Sequence, residues 1–343
     1  MSDLDLAALA VWLAEKWPAG GGLATQRISG GQSNPTWFIT WGEEQLVLRK
    51  KPAGPILQGA HAIEREFRIL RALSGTDVPV PPALYLEEDA SILGTPFYVM
   101  RRIAGRVFSD GTLPGLSAPE RREIYLDMAR VLARLHKVRP DQVGLSDYGK
   151  PGDYFARQFA RWSRQYTAST GPRIADLDWL MEWLPANLPA DDGAVSIAHG
   201  DFRLGNLMYH PTEPRVVAVL DWELSTLGHP LADLGYCVMP WNSAPAEYGG
   251  IMGTDWADQG IPSQDKFVAE YLAHALPTAP LQPFHVAFAM FRFAVIFVGI
   301  AERARAGSAA SSEAASLGDL APRFAARARE VIARASSNNG SRS

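Results

Sequence analysis

Apolar residues recur at helical spacing over residues 4–17, where Leu6, Leu9, Ala10, Leu13 and Trp17 share one side; Pro18 and Gly20 to Gly22 end the pattern. Strand-like runs follow at 24–29, 37–41 and 45–50, with Gly30 and Gly31 between the first two and Gly42 turning the second into the third. That order predicts an antiparallel meander. A helix is expected over about 60–73, with Ile63, Phe67, Leu70 and Leu73 on one face, and Pro79, Pro81 and Pro82 break the chain before strands near 83–87 and 97–103.

Past residue 105 the pattern becomes helical, at 120–136, 153–166, 177–184, 264–276, 284–305 and 320–334. One pair of short strands, 206–210 and 215–220, is expected among these helices. The expected organisation is α+β: a small five-stranded N-terminal lobe over 1–103, a mostly helical lobe over 104–335, and a frayed polar tail over 336–343.

Composition narrows the classes. With 47% hydrophobic and 20% charged residues in 343, the chain is no disordered polymer. Lys plus Arg number 33 against 37 acidic residues, a net charge of −4, which gives no domain-wide basic surface for nucleic acid. Cys237 is the only cysteine, so neither an intrachain disulfide nor a cysteine zinc site can form, and a reducing, cytoplasmic setting is expected. The apolar stretch 284–300 is interrupted by His285 and Arg292 and reads as a buried helix, so no membrane partner is expected. The seven histidines show no metal-ligand spacing.

The strongest chemical signal is His199-Gly-Asp201-Phe-Arg-Leu-Gly-Asn206, followed fifteen residues later by Asp221 in VVAVLDWE. Magnesium–nucleotide chemistry needs hard oxygen donors, which Asn206 and Asp221 supply, and a carboxylate to orient and deprotonate an attacking hydroxyl, which Asp201 supplies. The N-terminal half carries matching parts. The turn from Ile28 to Asn34, with Gly30, Gly31 and Ser33, can cover phosphates with its N–H groups, or serve only as a turn. On the strand LVLRKK, Arg49 and Lys51 share a face, so either can meet phosphate. Glu66 on the next helix is placed to hold that cation; Glu64, two residues earlier, faces elsewhere.

In GGQSNPTW, VLRKKP, EREFRILRAL, YVMRRIAG, HGDFRLGNLM and LDWELSTLGHPLADLGY the chain resembles the aminoglycoside phosphotransferase and choline kinase-like family, and within it the phosphotransferase modules associated with acyl-CoA dehydrogenases. The resemblance runs from about residue 28 to 240 and implies a two-lobed protein-kinase-like fold binding ATP and Mg2+. It implies Asp201 as base, Asn206 and Asp221 on magnesium, and Arg49, paired with Glu66, on the α/β-phosphates. Met100, Arg101 and Arg102 would lie at the adenine hinge, with Asp233 supporting the catalytic loop from behind. Glu223 assists the metal or only makes hydrogen bonds. Protein kinases have Lys where Arg49 stands and Asp-Phe-Gly where Asp221-Trp222-Glu223 stands, and no Ala-Pro-Glu-like segment follows, which disfavours a protein substrate.

For the acceptor, the expected helix DYFARQFARWSRQY puts Phe155, Phe159, Trp162 and Tyr166 on a core face and Arg157, Arg161 and Arg164 on another. That basic stripe either meets an anionic substrate such as a coenzyme A thioester or is a solvated face. The expected activity is ATP/Mg-dependent O-phosphorylation of a small-molecule hydroxyl, favouring a hydroxyacyl-CoA or hydroxy acid. The alternatives are an aminoglycoside or amino-alcohol kinase, and a nucleotide-binding pseudokinase linked functionally to an acyl-CoA dehydrogenase.

Overall fold

A computed structural model of the protein describes residues 4–28, 34–52, 62–150, 152–305 and 317–340. It divides into two compact units, Met1–Gly105 with Val217–Leu224, and Arg106–Val216 with Ser225–Ser343.

In the first unit, helix α1 (Leu6–Lys16) starts where the Asp5 carboxylate accepts from the N–H groups of Ala7 and Ala8, both at 3.0 Å. Its Leu9, Trp12 and Leu13 are buried. Strands β1 (Ala24–Arg27), β2 (Thr36–Trp41) and β3 (Glu44–Lys50) form the expected meander, and β4 (Ala83–Glu87) and β5 (Phe97–Arg101) complete a five-stranded sheet in the order β1-β2-β3-β5-β4. Trp41 pairs with Glu44 across a two-residue turn in which Gly42 takes φ +61°, a value that glycine adopts at little cost. Trp37, Ile39 and Trp41 of β2 turn inward with Leu46, Leu48, Phe97 and Val99 to pack on α1. Each such side chain contributes about 1.5–3 kcal/mol on burial. Trp12 is a core anchor whose Nε1 donates to Glu87 at 2.9 Å. Helix α2 (Ile63–Leu73) crosses behind the sheet, and α3 (Ala90–Leu93) is one turn capped by Asp89.

The segment 217–224 belongs to this unit, although it lies in the part of the sequence expected to form the helical lobe. The Val219 N–H bonds to the Pro79 carbonyl at 2.8 Å, and the short 3-10 turn Trp222–Leu224 touches α2.

The second unit opens with β6 (Arg106–Val107) and contains α4 (Ala118–Lys137), α5 (Tyr154–Thr167), α6 (Ala175–Ala186), β7 (Ser196–Ala198), β8 (Leu207–Tyr209), the start of β9 (Val216–Val219), β10 (Thr226–Gly228), α7 (Pro230–Cys237), α8 (Gln264–His274), α9 (Pro283–Arg305) and α10 (Leu320–Gly340). The expectation of a single strand pair here is incorrect: β7 pairs antiparallel with β10, and β6 with β8. Strands of two or three residues are too short to show a period of two. Helix α7 was also unexpected; every one of its residues is buried, so it has no polar face and no amphipathic signal. Helix α10 continues to Gly340, into the segment expected to fray.

Helix α9 is long and apolar enough to cross a membrane, but 78% of its most apolar window is buried, and it packs against α5, α7 and α10. Phe155, Trp162 and Tyr166 of α5 are buried as expected, and Phe159, half-buried, lies 5.7 Å from the Phe291 ring.

Candidate active site

The first unit carries one cluster. Arg49 leaves β3 with its Nε 3.0 Å from Glu66 Oε2 and its Nη2 3.4 Å from Asp221 Oδ1. Glu66, on the buried face of α2, also accepts from the Tyr98 hydroxyl at 3.0 Å and from Asn34 Nδ2 at 2.5 Å. Burial pushes the Glu66 carboxyl up, and the Arg49 charge pulls it part of the way back. Burial works against the Arg49 charge too, but Tyr98, Glu66 and Asp221 together hold the guanidinium above its ordinary value.

Of the two candidate cations, Arg49 is the one joined to Glu66; Lys51 Nζ lies 3.8 Å from Glu64. Asp221 sits at φ +62°, a left-handed conformation that aspartate tolerates better than most residues. Glu223, half-buried two residues on, adds to the negative field at Arg49. Met100 is buried in β5, Arg101 pairs with Glu44, and the Arg102 guanidinium lies 3.9 Å from the Phe38 ring centre. Gly30, Gly31 and Ser33 lie outside the described residues.

The second unit carries the other cluster, on the loop after β7. Gly200 takes φ +83°, which lets the chain reverse between His199 and Asp201. Asp233, from α7, accepts from the N–H groups of His199 at 2.7 Å and Gly200 at 2.9 Å, and lies 3.3 Å from His136 Nε2. Burial penalises the Asp233 charge, but the His136 bond and these N–H groups outweigh it and hold the carboxyl below its usual range. His136 in turn bonds to the Tyr271 hydroxyl at 2.7 Å, so it is the packed histidine that its place at a helix end suggested. His199, fully buried, accepts the Asp201 N–H at 3.2 Å and shapes the loop.

Asp201 is bonded through both carboxylate oxygens. Oδ1 accepts from the Tyr236 hydroxyl; Oδ2 accepts from Asn206 Nδ2 at 2.7 Å and faces Arg203 Nε at 3.4 Å. Burial and the Asp201 charge push the Tyr236 phenol well up, so it remains a donor. Asn206 spends its amide N–H groups on Asp201, which leaves its carbonyl oxygen for a hard cation. Asn206 and Asp221 are thus oxygen donors of the kind magnesium takes, one carboxylate and one carbonyl.

The basic stripe of α5 divides. Arg157 lines a cavity with Lys150, Asp153, Asp191 and His229, and donates to the Lys150 carbonyl. Arg161 and Arg164 are exposed, with Arg161 5.0 Å from the Trp162 ring centre.

A sequence model of the phosphotransferase enzyme family matches residues 24–281. The chain belongs to this family. It is 44% identical over 294 residues to acyl-CoA dehydrogenase family member 10 of Mus musculus, covering 84% of this chain and 27% of that protein. It is 41% identical to the probable acyl-CoA dehydrogenase IBR3 of Arabidopsis thaliana, covering 83% of this chain and 37% of that one. The chain thus spans well under half the length of these relatives. Among solved structures, a putative aminoglycoside phosphotransferase from Ralstonia eutropha superposes with a TM-score of 0.87 at 44% identity, covering 96% of this chain and 99% of that one. Aminoglycoside phosphotransferase APH(4)-Ia, at 15% identity, coverage of 96% and 98%, and a TM-score of 0.63, shares the kinase-like fold.

Three residues of this phosphotransferase went unrecognised in the sequence: Tyr236, Arg203 and Arg292. Arg292 Nη2 reaches the Gly200 carbonyl at 2.6 Å. A lone arginine inside an apolar helix was its signal, since a buried charge requires a partner.

Proposed function

We propose that this phosphotransferase moves the γ-phosphoryl group of ATP to the hydroxyl of a small molecule, and that a hydroxyacyl-CoA thioester or hydroxy acid is its favoured acceptor. The observation that carries the reading is the Asp201 carboxylate, fixed by Asn206 and Tyr236 on a loop that Asp233 clamps from behind. A carboxylate so held has one orientation, which is what alignment of an attacking hydroxyl requires.

In this mechanism Asp201 orients the acceptor hydroxyl and takes its proton as the oxygen bonds to Pγ. The bond from Pγ to the β–γ bridging oxygen breaks, and ADP leaves with that electron pair. Arg49, kept charged and aimed by Glu66, binds the α/β-phosphates as a fork. Asn206 through its carbonyl and Asp221 through its carboxylate are the residues that would hold magnesium, with Glu223 as a further candidate; when bound, the metal would offset charge on the phosphates. Gly30, Gly31, Ser33 and Asn34 are assigned to the phosphates, and Met100, Arg101 and Arg102 to the adenine side. Asn34 also braces Glu66. Arg157 with Lys150 offers positive charge to an anionic acceptor, more than the exposed Arg161 and Arg164 do.

The acyl-CoA preference is supported by relatives named as acyl-CoA dehydrogenase family members. The name of the Ralstonia eutropha neighbour favours a second reading, an aminoglycoside or amino-alcohol kinase. The deciding experiment is phosphoryl transfer from ATP with magnesium to hydroxyacyl-CoAs, free hydroxy acids, choline-like alcohols and aminoglycosides, with Asp201→Ala as control. Turnover confined to the acyl class and lost in the variant is the expected result. Turnover on aminoglycosides alone establishes the second reading; tight ATP binding without turnover on any class makes the chain a pseudokinase.

A further inference from the structure

Beside Asp201 the second unit has a small pocket whose lining is aromatic and almost free of charge. Tyr125, Met128, Tyr248, Phe293 and Phe324 line it, together with Tyr236 and Arg203, two of the three residues whose side chains meet the Asp201 carboxylate. The pocket therefore begins one side chain from the proposed base. Phe293 packs edge-on against Phe324 at 4.9 Å and against Tyr248 at 5.1 Å, so the walls are set by ring packing. Tyr248, 45% exposed, forms the rim.

Among the described residues of this lining there is no carboxylate, and Arg203 is the one charged side chain. Its guanidinium lies 5.5 Å from the Tyr248 ring centre and 3.4 Å from Asp201, tethered by both. Nearby Glu247 is buried and already bonded to Arg327 at 2.9 and 3.1 Å. A cationic acceptor in this pocket would find a fixed positive charge and no free carboxylate.

The geometry points to Arg203 and the Tyr248–Phe293 wall as the specificity determinants of the acceptor. The wall takes an apolar chain next to the reacting hydroxyl, and Arg203 rejects an acceptor that carries an ammonium group there while accepting a neutral or anionic one. This inference rests on the phosphotransferase reading above and deepens it: the acceptor class is an apolar hydroxy compound without a nearby cation.

A matched series of six-carbon acceptors with the charge beside the hydroxyl, 1-hexanol, 2-hydroxyhexanoate and 2-amino-1-hexanol (hexanol, hydroxyhexanoate and aminohexanol below), tests it. Binding in the presence of ADP and magnesium is measured by calorimetry, and phosphoryl transfer from ATP is measured separately. The wild-type chain should prefer hexanol and hydroxyhexanoate over aminohexanol by on the order of 100-fold. In Arg203→Gln that ratio should fall to about tenfold or less, whereas Tyr248→Ala, a rim change that spares the fold, should weaken all three acceptors and keep the ratio. Equal binding of aminohexanol by the wild-type chain, an unchanged ratio in Arg203→Gln, or no binding of any acceptor overturns the inference. Selective binding that follows Arg203 without transfer to any acceptor leaves the pocket assignment standing and removes the phosphotransferase reading. Transfer without selectivity does the reverse.

Discussion

The Tyr236 hydroxyl donates to Oδ1 of Asp201, so the carboxylate is held on the side opposite Asn206, which bonds Oδ2 at 2.7 Å. A hydrogen bond to a charged group contributes roughly 1.5–3 kcal/mol. Tyr236→Phe removes it while preserving the ring that packs 5.7 Å from Phe293. Steady-state kinetics should show kcat lowered about 10- to 100-fold with the KM for ATP little changed. A rise in the ATP KM with kcat intact would show instead that Tyr236 serves nucleotide binding.

Asp201→Asn keeps the side chain's shape and removes its basicity. Transfer should drop by about 10²- to 10⁴-fold, the range for loss of a positioned general base, while ATP still binds. Calorimetric titration with ATP and magnesium separates the two effects; retained turnover in the variant would exclude Asp201 as the base.

The Arg49–Glu66 pair should behave as one unit. Glu66 is 1% exposed, and Glu66→Ala leaves the guanidinium beside Asp221 with its principal partner missing. Loss of one partner of a buried pair costs about 3–5 kcal/mol. Denaturant unfolding should show that loss, and the ATP KM should rise in both Glu66→Ala and Arg49→Ala. If the double variant costs as much as the two single variants added together, the pair is not coupled.

Acid sensitivity should come from a histidine pair. His285 is buried against Phe155 and Phe284, and its ring lies 6.3 Å from that of His229; burial first, and His229 second, lower its pKa from 6.5 to about 4. Burial likewise lowers His229, against the opposing pull of Asp192. Between about 4 and 6.5 the unfolded chain binds the His285 proton and the folded chain does not, so stability is present above that window and lost as pH falls through it. The loss should reach about 3 kcal/mol from His285, measured as a falling urea midpoint, and His285→Asn should flatten the slope. A midpoint constant from neutral pH to below 5 would rule this out.

Much of the phosphotransferase was legible because its chemistry and its main elements leave local traces. The fixed spacing of Asp201 and Asn206 marks the loop, and the alternation of Trp37, Ile39 and Trp41 marks a half-buried strand. What was not legible depends on distant packing. Tyr236 follows Asp201 by 35 residues and sits in a helix with no polar face, so only the folded chain shows that its hydroxyl meets the carboxylate. That Arg49 meets Glu66 while Lys51 lies near Glu64 is likewise set by the folded chain, since both cations share one side of the strand. The α5 stripe shows the limit of periodicity, since it places three arginines on one face but does not distinguish the one lining a cavity from the two in solvent.

The return of residues 217–224 to the first unit has a consequence for biosynthesis. Arg49 and Asp221 are 172 residues apart, and closing so long a loop costs about 4–5 kcal/mol of chain entropy. At ribosomal rates of about 5–20 residues per second, the nascent sheet and α2 wait roughly 10–30 s for the segment that completes them. During that interval the Arg49–Glu66 pair exists without Asp221, and a fragment ending at Gly105 would lack both Asp221 and Glu223, two of the three carboxylates whose charge acts on Arg49.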